Sequence, residues 1–151
     1  MPLINSPDNG ATEIPGTSNA DSIFVFLAGP IRHWWKNGQW DSLEHRTYTD
    51  MRSAVHKVLS DEFLVYAPHR AWRGPWNIVA QQINDHAVSL CDTLVAIKIP
   101  EVEATGTDEE IALAQELGIP IFILNMDANW HVNLDKMIPQ IKGLKHSGAT
   151  T

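Results

Sequence analysis

Ile23-Phe-Val-Phe-Leu-Ala28, followed at once by Gly29-Pro30, decides the fold. An unbroken apolar run rich in β-formers, with no polar alternation, reads as a strand buried on both faces. Such strands belong to parallel sheets covered by helices. Working outward, Phe63–Ala67 (FLVYA, stopped by Pro68), Thr93–Ile99 (TLVAIKI) and Pro120–Leu124 (PIFIL) read as three more strands. Between them lie helical patterns. Asp41–Leu59 carries Leu43, Tyr48, Met51, Val55, Val58 and Leu59 at near-helical spacing. Trp76–Leu90 would turn Ile78, Val79, Ile83, Ala87 and Val88 inward, and Asp108–Leu117 ends at Gly118, a C-terminal cap. A last short helix is expected around Leu134–Leu144. The order βαβαβαβα implies right-handed crossovers. The predicted fold is therefore α/β: a doubly wound, Rossmann-like or flavodoxin-like parallel sheet of four or five strands with helices on both faces.

The composition agrees with one such domain. The chain has 151 residues, 44% of them hydrophobic and 19% charged. The charged share lies below the usual figure of about 25% and fits a compact, oligomer-forming protein. Residues 1–20 hold no Lys or Arg and no apolar core, so they read as a flexible tail rather than a signal peptide. Residues 21–151 form the single domain. A net charge of −7 without clustered Lys or Arg argues against a nucleic-acid polymer as partner. No apolar stretch approaches the roughly 18 residues of a membrane span. Cys91 is the lone cysteine, read as a buried packing thiol in a reducing cytoplasm. The seven histidines show no close ligand spacing, so no metal is expected.

In a parallel sheet the ligand sits at the carboxyl ends of the strands. Four loops meet there: Gly29–Trp40, Pro68–Trp76, Pro100–Thr107 and Asn125–His131. The first reads LAGPIRHWW, and the small Ala28-Gly29 pair would let a ligand approach the backbone. The second reads APHRAWRGPW. Five of the six tryptophans fall between residues 34 and 76. Their faces suit stacking on flat bases, and Arg32 and Arg70 suit a phosphate. A hydrophobic lid or a subunit interface would use the same tryptophans. His69 could equally be a structural hydrogen-bonder.

The third loop runs into TGTDEEIALAQELG, Thr105–Gly118. Thr107 with Glu110 three residues on makes a capping box, in which Glu110 would bond back to the Thr107 amide. The same geometry serves chemistry. A carboxylate in the first helical turn points to the strand-end crevice, and the helix dipole favours its charged form. A fixed, ionised carboxylate suits a glycosyl-transferring nucleophile.

Ala28-Gly29-Pro30 after strand one, His69-Arg70 with Trp72 after strand two, and Gly106-Thr107 with Glu110 after strand three resemble the nucleoside 2-deoxyribosyltransferase superfamily. The resemblance spans roughly Ile23 to Leu124. It is similar over His69–Gly74 (HRAWRG) to the cytidine-monophosphate and 5-hydroxymethyl-CMP hydrolases, relatives of the deoxynucleoside 5′-monophosphate N-glycosidases. It implies that Glu110 attacks the anomeric carbon of a nucleoside 5′-monophosphate, pyrimidine favoured, and forms a glycosyl-enzyme intermediate. It implies a small-molecule site formed by Ala28, Gly29, Pro30, Ile31, Arg32, Trp35, His69, Arg70, Trp72, Gly106 and Thr107. It implies no cofactor, and a homodimer or higher homo-oligomer. The superfamily carries an Asp eight residues before the Asp that opens strand three, here Asp92, and that position is Asn84. Either Asn84 replaces the acid or the register differs by one and Asp85 serves. Two other functions share these features: a deoxyribosyltransferase that exchanges bases, and a nucleotide-binding sensor without turnover.

Overall fold

The structure, a computed structural model, describes residues 23–30, 42–68, 78–100 and 105–149. Its strands are β1 (Phe24–Ala28), β2 (Leu64–Tyr66), β3 (Thr93–Lys98) and β4 (Ile121–Asn125). Its helices are α1 (Ser42–Glu62), α2 (Ile78–Leu90), α3 (Thr105–Glu116) and α4 (Trp130–Ala149). The four strands form one parallel sheet in the order β2-β1-β3-β4. Phe26 lies in register with Tyr66 on one side and Leu94 on the other.

The unbroken apolar runs are explained by two cores. Val25, Leu27, Val95 and Ile97 pack one sheet face on Tyr48, Met51, Val55 and Leu59 of α1 and on Leu134, Met137 and Ile141 of α4. Phe26, Ala28, Leu94 and Ala96 pack the other on Ala87 and Val88 of α2 and Ala114 of α3. The sheet is thus doubly wound, and the chain changes faces between β1 and β3. That crevice, outside the carboxyl ends of β1 and β3, is the topological switch point.

Local signals set the element ends. Gly118 closes α3 with φ of 74°. Its amide donates to the Gln115 carbonyl and that of Ile119 to Ala114, a Schellman pair. At the opposite edge from the crevice, the Phe24 amide donates to Asp92 Oδ2 at 2.8 Å, which ties the start of β1 to the start of β3. Cys91 is buried and its thiol donates to the Val88 carbonyl at 3.1 Å. Burial, with Asp92 beside it, pushes this thiol up to about 11, so it stays protonated at neutral pH. No helix among the described residues is long and apolar enough to cross a membrane.

Two inward faces differ from the periodicity. On α2, Ile78, Val79 and Ile83 are 69%, 51% and 45% exposed, while Ala80, Asn84, Ala87 and Val88 are buried. The helix carries two apolar stripes. The sheet takes the one with small residues, which lets α2 sit close on β1 and β3. On α1, Tyr48, Met51, Val55 and Leu59 make the buried stripe and Val58 falls at its rim. The third difference is the start of α3. The helix begins at Thr105, so Thr107 is already helical and is not the cap residue that the capping box requires. The fourth helix is longer than expected and carries the exposed Pro139 within it.

Candidate active site

The carboxyl edge of the sheet gathers side chains from four elements. Glu110, in the second turn of α3, is 6% exposed. Its Oε2 accepts a hydrogen bond from Asn84 Nδ2 of α2 at 3.3 Å. Asn84 is 2% exposed, and its Oδ1 accepts from the phenol of Tyr66, the last residue of β2, at 2.9 Å. Tyr66 is set by its neighbour in β1: its ring lies 5.4 Å from that of Phe26. The structure therefore brings Asn84 to Glu110. Asp85 lies on the exposed side of α2, where it accepts from Gln81 Nε2 at 2.9 Å.

Burial decides the electrostatics. It pushes the Glu110 carboxyl from its ordinary 4.5 up to about 8, and the charges of Asp85 and Glu109 add to the rise. The Asn84 hydrogen bond works the other way. The helix dipole alone would leave this group readily ionised. Desolvation of Glu110, which is buried in the second turn, outweighs the dipole of the helix.

A second set supports the first loop from the other sheet face. Tyr48 of α1 is buried beneath Gly29, and a Cβ built on Gly29 would lie 2.5 Å from its Oη. Arg52, one turn on, stands with its guanidinium 5.3 Å from the Tyr48 ring centroid, and its Nη1 donates to the Pro30 carbonyl at 3.3 Å. Burial pushes the Tyr48 phenol up to about 12; Arg52 lowers it and Glu110 raises it, so Tyr48 and Glu110 share one electrostatic environment. The missing side chain at Gly29 thus makes room for a tyrosine hydroxyl. We expect Gly29→Ala to cost about 1–3 kcal/mol by overpacking, read as a lower urea midpoint. Tyr48→Phe in the same background should return part of that loss, since it removes the clashing oxygen. A Gly29→Ala protein as stable as wild type would show that Tyr48 does not fill this space.

Of the other residues singled out in the sequence, Ala28 is buried against Ala96, and Gly29 and Pro30 are half-buried at the end of β1. Thr107 is buried in the first turn of α3, and Gly106 is exposed with open space where a Cβ would stand. Ile31, Arg32, Trp35, His69, Arg70 and Trp72 lie outside the described residues, as does the 1–20 segment. Sequence reading passed over Tyr66, Tyr48 and Arg52. Tyr66 had one signal, a polar tip on the last residue of a strand at the ligand edge. Among the described residues, no group of three or more His, Cys, Asp or Glu could hold a metal ion.

No family model matches the sequence, and no curated protein does. Among solved structures the chain is similar to a 2-deoxyribosyltransferase from the psychrotolerant bacterium Bacillus psychrosaccharolyticus. The two are 16% identical with a TM-score of 0.49, over 70% of this chain and 74% of that one. At this distance the reading of the site rests on the chain's own residues.

Proposed function

We propose that this chain is an enzyme that cleaves the N-glycosidic bond of a nucleoside 5′-monophosphate, pyrimidine favoured, with Glu110 as the nucleophile. The observation that carries the proposal is the buried Glu110 carboxyl at the switch-point crevice, held through Oε2 by Asn84. A carboxylate fixed by one oxygen and shielded from water has its other oxygen to offer an electrophile. Oε1 attacks C1′ as the bond to the base breaks, and the bonding pair leaves with the base. Water then attacks C1′ of the glycosyl ester: its oxygen stays on the sugar, the C1′–Oε1 bond breaks to return the Glu110 carboxylate, and the proton it releases balances the one taken up by the departing base. Burial raises the proton affinity of Glu110, a perturbation of the kind that clusters at functional sites, and the ionised fraction is the form that attacks.

In this assignment Asn84 takes the place that the resemblance gives to an acid, and its role is to hold Glu110. The strand-end loops supply the rest: Arg32 and Arg70 for the phosphate, Trp35 and Trp72 for the base, His69 for binding. We place the single domain at residues 21–151, working in the cytoplasm as a homo-oligomer. The exposed apolar side chains of Ile78, Val79 and Ile83 support association.

The test is chromatography of products from a pyrimidine 5′-monophosphate, with and without a competing free base. Hydrolysis gives free base and sugar phosphate together in both arms. Dominant transfer to the added base would make the protein a deoxyribosyltransferase. Tight nucleotide binding with no product in either arm would make it a sensor.

A further inference from the structure

Tyr66 stands at the start of a two-step hydrogen-bond chain that ends on Glu110, without reaching Glu110 itself. Its phenol donates to Asn84 Oδ1 at 2.9 Å, and Asn84 Nδ2 donates to Glu110 Oε2 at 3.3 Å. An amide side chain has a donor side and an acceptor side. With its NH2 group toward Glu110 it serves a carboxylate; turned over, its oxygen would serve a protonated carboxyl. Asn84 and Glu110 are both buried, so little water is at hand to level the difference. The partner on the far side of the amide then decides between the two orientations.

We propose that Tyr66 is a positioning residue: its phenol proton fixes the Asn84 amide with the NH2 group toward Glu110 and so favours the ionised carboxylate that attacks. The last clause rests on the N-glycosidase proposal; the geometry of the amide does not. The phenol and the amide point their protons in one direction, toward the carboxylate, so that each bond strengthens the next and the anion sits at the end. Burial and the nearby Glu110 raise the Tyr66 phenol above its ordinary value, so it remains a donor throughout the range in which Glu110 titrates. Its ring is held by Phe26, and its backbone by pairing with β1.

The groups around Glu110 make this bond decisive. From α2, Asp85 opposes ionisation, as does Glu109 from α3 itself. Tyr48 from α1 and Tyr66 from β2 are neutral phenols. Gly29 and Pro30, which follow β1, carry no charge. At the end of β3, Lys98 is engaged by Asp108 at 3.1 Å. Among the described residues, the Asn84 hydrogen bond is the influence found to favour the ionised form.

The experiment is a 13C titration of the Glu110 carboxyl by NMR, assigned through its loss in Glu110→Gln, in wild type, Tyr66→Phe, Asn84→Ala and the double variant. Tyr66→Phe keeps the ring and removes one oxygen, and it should raise the Glu110 midpoint by about one pH unit, a tenfold change in its dissociation constant. The acid limb of the base-release profile should move by the same amount. Asn84→Ala should shift the midpoint at least as far, and adding Tyr66→Phe to it should have no further effect, because Tyr66 acts through Asn84. An unmoved midpoint in Tyr66→Phe overturns the proposal, as does a second, additive shift in the double variant. If Asn84→Ala does not fold, the Tyr66→Phe titration decides alone. The titration needs no turnover: a shifted midpoint in a protein that releases no base sinks the proposed function and leaves the role of Tyr66 standing.

Discussion

Glu110→Gln is expected to lose base release by at least about a thousandfold, the scale on which removing a nucleophile acts, while melting at a higher temperature than wild type above pH 8. Glutamine keeps the shape of the side chain and can still accept the Asn84 hydrogen bond, but it cannot form the ester. Its effect on stability follows from the raised proton affinity of Glu110. In the unfolded chain the carboxyl ionises near 4.5, and in the folded protein near 8. Between those values the folded state holds a proton that the unfolded state has given up. Stability therefore falls as pH rises through that window and remains lower above it. The full difference is on the order of 5 kcal/mol at most. Glutamine has no charge to desolvate and escapes this loss. In a domain of this size about 1 kcal/mol moves Tm by roughly 2–4 °C. A gain of at least several degrees at pH 8.5, vanishing toward pH 4.5, is the expected scan. Near wild-type turnover in a folded Glu110→Gln protein would sink the nucleophile. A fall in Tm at pH 8.5 would make Glu110 a structural carboxyl instead.

The same burial explains what could and could not be read beforehand. The sheet was legible because both faces of β1 and β3 are covered, which leaves uninterrupted runs such as IFVFLA and TLVAIKI. That Glu110 stands near the start of the third helix, after β3, was legible from the alternation of strand and helix, although the structure puts it in the second turn and not the first. The choice between Asn84 and Asp85 was not. Adjacent residues on a helix point about 100° apart, and which one faces inward depends on the stripe that docks. The sheet selected the stripe of Ala80, Ala87 and Val88, and Asn84 came with it. The ionisation of Glu110 was illegible for a related reason. A dipole is a property of the helix and can be read locally, whereas desolvation depends on everything packed around the group. Gly29 shows a third limit. Nothing in AGP announces that a tyrosine nineteen residues further along the chain fills the space the glycine leaves.

Activity should rise with pH where stability falls. kcat/KM reports the ionisation of the free enzyme, and a nucleophilic Glu110 works only as the carboxylate. With its midpoint at about 8, kcat/KM should climb about tenfold per pH unit on the acid side and level off above that midpoint. At pH 6 it should stand roughly a hundredfold below the plateau. The second ionisation of a substrate phosphate lies at about 6, so the limb between pH 6.5 and 8.5 is the part that belongs to the enzyme. A melting scan over the same range should run in the opposite sense, for the same proton is responsible. On the proposed assignment the neutral carboxyl holds the protein together better, and the charged one is the form that attacks. Initial rates of base release at low substrate, taken across pH 6–9, measure the limb directly. A flat profile would mean that Glu110 is already ionised in the free enzyme and that the crevice is more open to water than its burial implies. A profile that falls through pH 8 would mean that the protonated form does the work. Glu110 would then be the acid that delivers a proton to the departing base, and the attacking group would have to be sought among the other residues of the strand-end loops.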